Sequence, residues 1–335
     1  MRRHLILPLV MLVQAVLHSV AYTHAAQVGL ITIPWLLNRG GALYGNVLEH
    51  RAPLLAWTVA LAQRLIPVEP ITLLLGLNLV LVLGVSVGVY VITLRLTQRP
   101  IAAGAALLTW AWWEPSYGNI LFYFDSVLGA LFLAVVAVWA FHSDDAPSWR
   151  APLLTGFILG TGVLVKQHGG GAAVLVGLWL LVYGRYRITS VAAYAFAGIL
   201  PAALVLVYQA NIGNLSDFLY WTVTFNLSGD VPPLPPTSAF VYKMLLTHLM
   251  VPAFALFTLR SEHRRERTLL LVVWAAGTVT LIPKVGEIHT MALLPAVAVM
   301  TGWAAADILP SGIPNPRRWL ASASPTAIGL GGVVL

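Results

Sequence analysis

Three ionisable side chains stand next to one another in residues 45–55, GNVLEHRAPLL, where Glu49, His50 and Arg51 precede an apolar run. Only 9% of the residues in the chain are charged, so this group needs an explanation. Charges at the water boundary of a membrane helix commonly serve as anchors. A carboxylate can also accept a proton while a neighbouring arginine binds a phosphate. These residues alone leave both interpretations open.

A second candidate is Asp125 in the apolar segment 119–141, NILFYFDSVLGALFLAVVAVWAF. The pattern predicts that Asp125 lies about two turns inside this segment. A carboxylate within a membrane is costly and by default indicates a functional site or a partnered charge pathway. A structural ion pair is the alternative.

A lysine, a glutamine and a histidine separate two apolar segments in GVLVKQHGGGAAVL. Lys166, Gln167 and His168 end one predicted helix, and the glycines after them allow close approach of the backbone before the next helix. A lysine beside the exposed N–H groups of a helix N-terminus predicts an anion site. The segment lacks the Gly-Lys-Ser/Thr of a nucleotide-binding P-loop. A lysine that reaches the membrane surface is the structural alternative.

Further polar and aromatic residues cluster late in the chain. Lys284 and His289 lie at the start of an apolar segment, and Trp221 and Asn226 lie in the long connection 212–240. An aromatic ring with an amide suits stacking on a sugar and equally suits contact with lipid headgroups. His289 alone is more typical of an interfacial histidine than of a base or a ligand.

The elements that must position these residues are membrane helices. Hydrophobic residues make up 59% of the 335 residues, and the mean hydropathy is +0.84. Apolar stretches close to the roughly 20 residues needed to cross about 30 Å of hydrocarbon recur along the chain. Nothing alternates like barrel strands, so we predict an all-α polytopic bundle of about 11–12 helices. The apolar segments are 4–22, 71–94, 101–114, 119–141, 152–166, 170–183, 190–210, 241–259, 268–283, 288–306 and 319–335.

Charge and cysteine content narrow the function classes. The net charge of +7 would suggest nucleic acid for a soluble protein, but arginines near segment ends follow the positive-inside rule, so we expect no nucleic-acid partner. The chain has no cysteine, which excludes disulfides and thiolate chemistry.

The segment 52–66 decides the predicted topology. About 15 helical residues extend about 22 Å, which is short of a full span. If this segment does not cross the membrane, most of the arginine-containing connections between apolar segments lie on one side of the membrane. By the positive-inside rule, that side is the cytoplasm. The connections 23–52 and 212–240 then lie on the external face, and the first contains a predicted surface helix that ends at Gly40.

We expect residues 1–335 to form a single transmembrane domain. The basic start and apolar core of the N-terminus resemble a signal peptide, but no convincing cleavage site follows, so we predict a first transmembrane helix. The chain stops within an apolar segment, so we expect either a final helix or a truncated sequence.

The order of several weak motifs resembles one family. NRGGALYGNVLEHRAPLL, FYFDSVLGALFL, LVKQHGGG, aromatic residues before TFN, and EIHTMALLPAVAV follow one another in this chain. Together they resemble the GT-C membrane glycosyltransferases, specifically relatives of protein O-mannosyltransferase and lipid A aminoarabinose transferase. The resemblance implies transfer of a sugar from a polyprenyl-phosphate carrier to an acceptor on the external face of a prokaryotic plasma (inner) membrane.

The resemblance also implies roles for individual residues. Glu49 and Asp125 are the implied catalytic residues. Of the residues that we predict to bind the lipid phosphate or the sugar, Arg51, Lys166 and His289 match positions of the family pattern. The others are predicted from the residues themselves: Tyr44, His50, Gln167, His168, Trp221, Asn226 and Lys284.

One departure from the family pattern affects the mechanism. Family members usually have an Asp-Glu pair that aligns here with Ala26 and Gln27, and residues 1–48 contain no carboxylate. Glu49 or Asp125 would therefore have to act as the base, and Glu49 is the candidate ligand for any divalent metal ion.

Two other function classes compete with an active transferase. One is a protein of the same fold that binds lipid carriers or supports a partner enzyme without catalysis. The other is a transporter or flippase of lipid-linked glycans, in which Asp125 would be a charge on the transport pathway. Inverted repeats with paired broken helices would favour a transporter, and the sequence shows none.

Overall fold

The computed structural model of the chain describes residues 5–21, 27–117, 121–142, 149–184, 187–227, 238–259, 261, 263–279 and 287–308. These residues are almost entirely helical, and their only β-type pairing is one isolated bridge between Leu43 and Val47. The predicted all-α architecture is confirmed.

The described residues form 15 α-helices. In chain order they are α1 (Ile6–Val16), α2 (Val28–Leu37), α3 (Leu54–Leu65), α4 (Pro70–Thr97), α5 (Pro100–Tyr117), α6 (Phe124–Ala140), α7 (Arg150–Val165), α8 (Gly169–Tyr183), α9 (Arg187–Asn211), α10 (Leu215–Leu219), α11 (Phe225–Leu227), α12 (Ser238–Thr247), α13 (Met250–Leu259), α14 (Arg264–Val279) and α15 (Leu294–Ile308). Two π-helical turns and one 3₁₀ turn complete this list: Leu17–Ala21, Tyr220–Thr224 and Glu287–Ala292.

Within the described residues, three helical stretches are long and apolar enough to cross a membrane: Pro70–Thr97, Ile188–Asn211 and Phe240–Leu259. Other apolar helices in this part of the chain are shorter, with 10–17 residues. With 12 residues, α3 extends about 18 Å, which agrees with the expectation that this segment is too short for a full span. The protein is an integral membrane protein.

Local sequence signals explain the boundaries of α4. The Glu69 side chain accepts a hydrogen bond from the Thr72 backbone N–H at 2.9 Å, and proline occupies the first helical position. At the other end Gln98 adopts a left-handed conformation with φ 56°, and α5 begins two residues later at a second proline.

Close backbone contact holds the bundle together at two helix pairs. α7 packs against α9 so tightly that a Cβ atom on Gly156 or Gly160 would lie 2.1 Å from a carbonyl oxygen of α9. Eleven of the 15 residues of α15 are buried, and a Cβ on Gly302 would lie 2.5 Å from the Ala102 carbonyl oxygen in α5. Small residues allow such approach in membrane proteins, where dispersion contacts replace the hydrophobic effect between helices.

Several predicted positions need correction. Asp125 does not lie about two turns inside its segment but is the second residue of α6. α2 ends at Leu37, before Gly40, which instead adopts φ 88° in the following turn. The connection 212–240 is largely helical over its described part, where α10, a π-helical turn and α11 follow one another. The predicted helix 319–335 lies outside the described residues.

Candidate active site

A buried cluster of Asp125, Lys166 and His289 forms the centre of the candidate site. Lys166 Nζ donates to both carboxylate oxygens of Asp125, at 2.8 and 2.9 Å. His289 Nδ1 lies 2.9 Å from Asp125 Oδ2 and 3.1 Å from Lys166 Nζ. Asp125 is fully buried, and Lys166 is nearly so. Three segments that are far apart in sequence thus place a carboxylate, an amine and an imidazole within hydrogen-bond distance of one another.

Local structure fixes the position of Asp125 at the start of α6. It lies in the first turn of α6, where the positive end of the helix dipole stabilises an anion. The turn before α6 is fixed to α4 because the Phe122 backbone N–H donates to Asn78 Oδ1 at 3.1 Å. His289 comes from the 3₁₀ turn before α15, and this turn packs directly on α6, where a Cβ on Gly129 would lie 2.6 Å from the Met291 carbonyl oxygen.

Lys166 lies at the end of α7, as the sequence predicts. Its backbone leaves the helix with φ −153°, and α8 begins three residues later. The predicted close approach applies to the first of the three glycines, because a Cβ on Gly169 would lie 3.0 Å from the Gly162 carbonyl carbon. Gly170, in contrast, has open space around it. His168 serves as the N-terminal boundary residue of α8.

A second cluster surrounds Arg51. Its guanidinium Nη1 donates to Glu49 Oε1 at 3.1 Å, and its backbone N–H donates to the same oxygen at 3.1 Å. His50 Nδ1 lies 3.3 Å from Glu49 Oε1. When the Gln27 amide is oriented with its oxygen toward the Arg51 guanidinium, this oxygen accepts hydrogen bonds from Nη2 at 2.8 Å and from Nη1 at 3.2 Å. Gln27 therefore contacts Arg51 from the position where the family pattern has a carboxylate, while Ala26 lies outside the described residues.

Several residues predicted to bind substrate support the backbone of this cluster. The buried Tyr44 hydroxyl donates to the Arg51 carbonyl at 2.6 Å. Burial, and secondarily the negative charge of Glu49, raises the pKa of Tyr44, so it remains a neutral donor. The side-chain amides of Gln167 and Asn226 both donate to the His50 carbonyl, at 2.8 and 2.7 Å.

Two residues that we predict to bind substrate remain, Trp221 and Lys284. The Trp221 ring lies 5.2 Å from the Phe225 ring, which in turn lies 5.9 Å from the His50 ring, measured between centroids. An aromatic surface thus lies beside the Arg51 cluster. Lys284 lies outside the described residues.

Aromatic residues connect the two clusters. The Arg51 guanidinium carbon lies 5.0 Å from the centroid of the Phe124 ring, directly before Asp125. Tyr123 interacts electrostatically with Asp125, Arg51 and Glu49, and its ring centroid lies 6.2 Å from that of His289. Sequence reasoning missed Tyr123, although its position two residues before a membrane carboxylate was a usable signal.

Comparison with known proteins identifies the fold. No family model and no curated protein matches the chain. Among solved structures it is similar to ArnT from Cupriavidus metallidurans bound to undecaprenyl phosphate, with a TM-score of 0.61 and 16% identity over 98% of this chain and 62% of that chain. It is also similar to the Archaeoglobus fulgidus oligosaccharyltransferase in its apo form, with a TM-score of 0.58 and 12% identity over 98% of this chain and 54% of that chain. The chain has the GT-C fold.

The GT-C fold confirms the architecture that the motif order implied. The chain spans less than two thirds of the length of these transferases. A further structure, AglB from Archaeoglobus fulgidus with an inhibitory peptide and a dolichol-phosphate, has a TM-score of 0.54 and 12% identity. At such identities the likeness establishes the fold and leaves the chemistry to the residues themselves.

The predicted divalent metal on Glu49 finds little support in the geometry of this GT-C chain. One oligosaccharyltransferase structure contains zinc and sulfate. In the described part of this chain no three His, Asp or Glu side chains form a group that could hold a metal ion. Glu49 already interacts with the Arg51 guanidinium, whose positive charge opposes a second cation at the same carboxylate. The described residues around Glu49 therefore do not fit a metal site.

Proposed function

We propose that the protein transfers a sugar from a polyprenyl-phosphate carrier to an external acceptor. The observation that supports this most is the buried Lys166, which contacts Asp125 and His289, while Arg51 contacts Phe124, the residue before Asp125. An amine and a guanidinium that both approach the Phe124–Asp125 segment suit the binding of a lipid phosphate. The likeness to GT-C transferases, one of them bound to undecaprenyl phosphate, supports the same assignment.

The transfer step follows from the chemistry of a glycosyl phosphate. The acceptor hydroxyl oxygen forms a bond to the anomeric carbon, and the bond from that carbon to the phosphate oxygen breaks. The electron pair leaves with the phosphate, which Lys166 and Arg51 would stabilise as its negative charge increases. A base takes the proton of the acceptor hydroxyl.

Glu49 is the stronger candidate for this base. Both oxygens of Asp125 already accept hydrogen bonds from Lys166, and one of them also lies beside His289. The Glu49 carboxylate has its shorter contacts on Oε1, whereas Oε2 lies 3.4 Å from Arg51 Nη1. We therefore assign proton transfer to Glu49 and positioning of Lys166 and His289 to Asp125.

A reconstituted assay tests the proposal. The purified protein is supplied with radiolabelled polyprenyl-phosphate sugars and candidate acceptors, and the wild type is compared with Glu49→Gln and Asp125→Asn. We expect transfer by the wild type and a large loss in both variants. Turnover that is indifferent to both substitutions would refute the assignment.

A further inference from the structure

A cavity of about 260 Å³ lies between the loop after α2, the helix α3 and the C-terminal end of α9. Trp57, Arg64 and Tyr208 belong to its wall, and none of its described lining residues is an aspartate or a glutamate. At about 30 Å³ per water molecule, the volume equals roughly nine waters, which is room for a hydrated phosphate group. The cavity lies beside the Arg51 cluster, because Leu43 in its wall precedes Tyr44, which donates to the Arg51 carbonyl.

Arg64 supplies this wall with a cation whose position is fixed. Its Nε donates to Asn38 Oδ1 at 2.6 Å, and Asn38 Nδ2 donates to the Ala60 carbonyl at 3.0 Å. The terminal nitrogens Nη1 and Nη2 of this exposed arginine have no hydrogen bond or ion pair with any described residue. A guanidinium held through Nε presents two further donors side by side, which is the geometry that matches a phosphate group.

Two neutral donors belong to the same wall. The rings of Trp57 and Tyr208 lie edge to face, with centroids 5.4 Å apart. In the part of the chain that the structure describes, neither the Trp57 indole N–H nor the Tyr208 hydroxyl has a hydrogen-bond partner. A guanidinium, an indole N–H and a hydroxyl together favour a ligand that accepts hydrogen bonds and carries negative charge. Tryptophan and tyrosine are also typical of the headgroup level of a membrane.

An apolar stripe leads from the cavity along α9. Phe196, Leu200, Leu204 and Val207 are exposed, and their spacing of three or four residues places them on one face of the helix. Tyr208 follows Leu204 by four residues, so the stripe ends at the cavity wall. The helical stretch Ile188–Asn211 is long and apolar enough to cross a membrane, so the stripe faces hydrocarbon chains.

We propose that this cavity binds the phosphodiester headgroup of an anionic phospholipid, whose acyl chains lie along the apolar stripe of α9. Arg64 pairs with the phosphate, and Trp57 and Tyr208 donate to its oxygens. A soluble anion would use the donors and leave the stripe without a role, so the joined polar and apolar surfaces favour a lipid. The lipid is a different ligand from the polyprenyl-phosphate carrier, and the inference does not rest on the proposed transferase function.

Native mass spectrometry of the purified full chain in detergent tests the proposal. Phosphatidylglycerol is titrated against the wild type, Arg64→Gln and Tyr208→Phe, with zwitterionic phosphatidylcholine as the comparison lipid. Arg39→Gln is the matched control, because Arg39 is also exposed but lies 3.8 Å over the Trp35 ring and does not line the cavity. We expect the Kd for phosphatidylglycerol to rise about tenfold in Arg64→Gln, through the loss of a charge-assisted hydrogen bond, and less in Tyr208→Phe. Arg39→Gln should bind like the wild type.

Thermal unfolding adds a second readout. Phosphatidylglycerol should raise the thermal midpoint of the wild type and of Arg39→Gln more than that of Arg64→Gln, because a ligand stabilises only the fold that binds it. If Arg64→Gln unfolds early without lipid, Tyr208→Phe decides the question. Equal Kd values in wild type, Arg64→Gln and Tyr208→Phe, or equal binding of the two lipids, would refute the site. Glycerol 3-phosphate that displaces the lipid would assign the cavity to a soluble anion and overturn the proposal. None of these measurements uses sugar transfer, so they stand or fall separately from the proposed function.

Discussion

Two carboxylate–cation pairs in this molecule have similar lengths and different surroundings. Lys166 Nζ lies 2.8 Å from Asp125 Oδ1, and Arg267 Nη2 lies 2.7 Å from both oxygens of Asp307. The Arg267 pair joins α14 to α15, and the rings of Trp303 and Phe254 flank the guanidinium at 4.5 and 5.1 Å.

The difference lies in what surrounds each pair. Around Asp307 one cation meets one carboxylate between aromatic rings, which is an arrangement that fixes two helices. Around Asp125 a histidine shares the carboxylate, and Arg51 lies nearby in a loop. A short ion pair alone therefore does not identify a site, whereas an additional arginine brought in by a loop points to an anionic ligand.

The largest expected effect separates the two pairs directly. Asp125→Asn leaves Lys166 without its carboxylate, so transfer should fall about 10³-fold because the phosphate-binding amine loses its position. Asp307→Asn should lower stability and leave transfer per folded molecule unchanged. Transfer rates normalised to the folded fraction, together with thermal unfolding curves, measure both. Equal losses of transfer in Asp125→Asn and Asp307→Asn would show that the two ion pairs have the same role.

Glu49→Gln should lower kcat about 10²-fold by removing the proposed base. The amide is of the same size and can still accept a hydrogen bond from Arg51, so the thermal midpoint should change little. Steady-state kinetics over a range of acceptor concentrations measure the effect, with Glu69→Gln as an exposed control. An unchanged kcat would mean that Glu49 is not the base and that His289 or Asp125 has this role.

Arg51→Lys should raise the KM for the lipid-phosphate donor about tenfold, because an ammonium cannot replace the planar guanidinium that bonds to Glu49 and Gln27. The matched substitution at the other pair, Arg267→Lys, should leave this KM unchanged. A donor titration checks both variants. A raised KM in Arg267→Lys with an unchanged KM in Arg51→Lys would mean that Arg51 only stabilises the fold.

The smallest effect concerns the exposed cap of α4. Hydrogen bonds from the backbone N–H groups of Thr72 and Ile71 lower the pKa of Glu69. A carboxyl with a lowered folded pKa contributes stability above its ordinary pKa, and this contribution is lost as the pH falls through the folded value. Glu69→Ala should therefore slightly lower the thermal midpoint at neutral pH, with a smaller effect in acid. A difference that grows in acid would contradict this capping role.

The sequence predicted the helices well because their signals are local. Apolar stretches bounded by prolines and charged residues predicted α4, α8 and α9, and the glycines after Lys166 predicted a close approach that occurs at Gly169. The depth of Asp125 was predicted wrongly, because the apolar residues before it form a turn held by Asn78 rather than a further turn of helix.

The candidate site was predictable as a list of residues and not as an arrangement. The types and order of Glu49, Arg51, Asp125, Lys166 and His289 indicated phosphate and sugar chemistry. The sequence could not show that Gln167 and Asn226 hold the His50 carbonyl, since such bonds join residues more than a hundred positions apart.

Composition and periodicity by themselves determined that this chain is a helical membrane protein, because each membrane helix must satisfy its own backbone hydrogen bonds within a continuous apolar stretch. Only the tertiary structure decided that Lys166 and His289 both contact Asp125. It also decided that Arg267 forms an ion pair with Asp307. These contacts depend on how helices distant in sequence pack, and the pattern along any one helix does not encode which neighbour its charged residues will face.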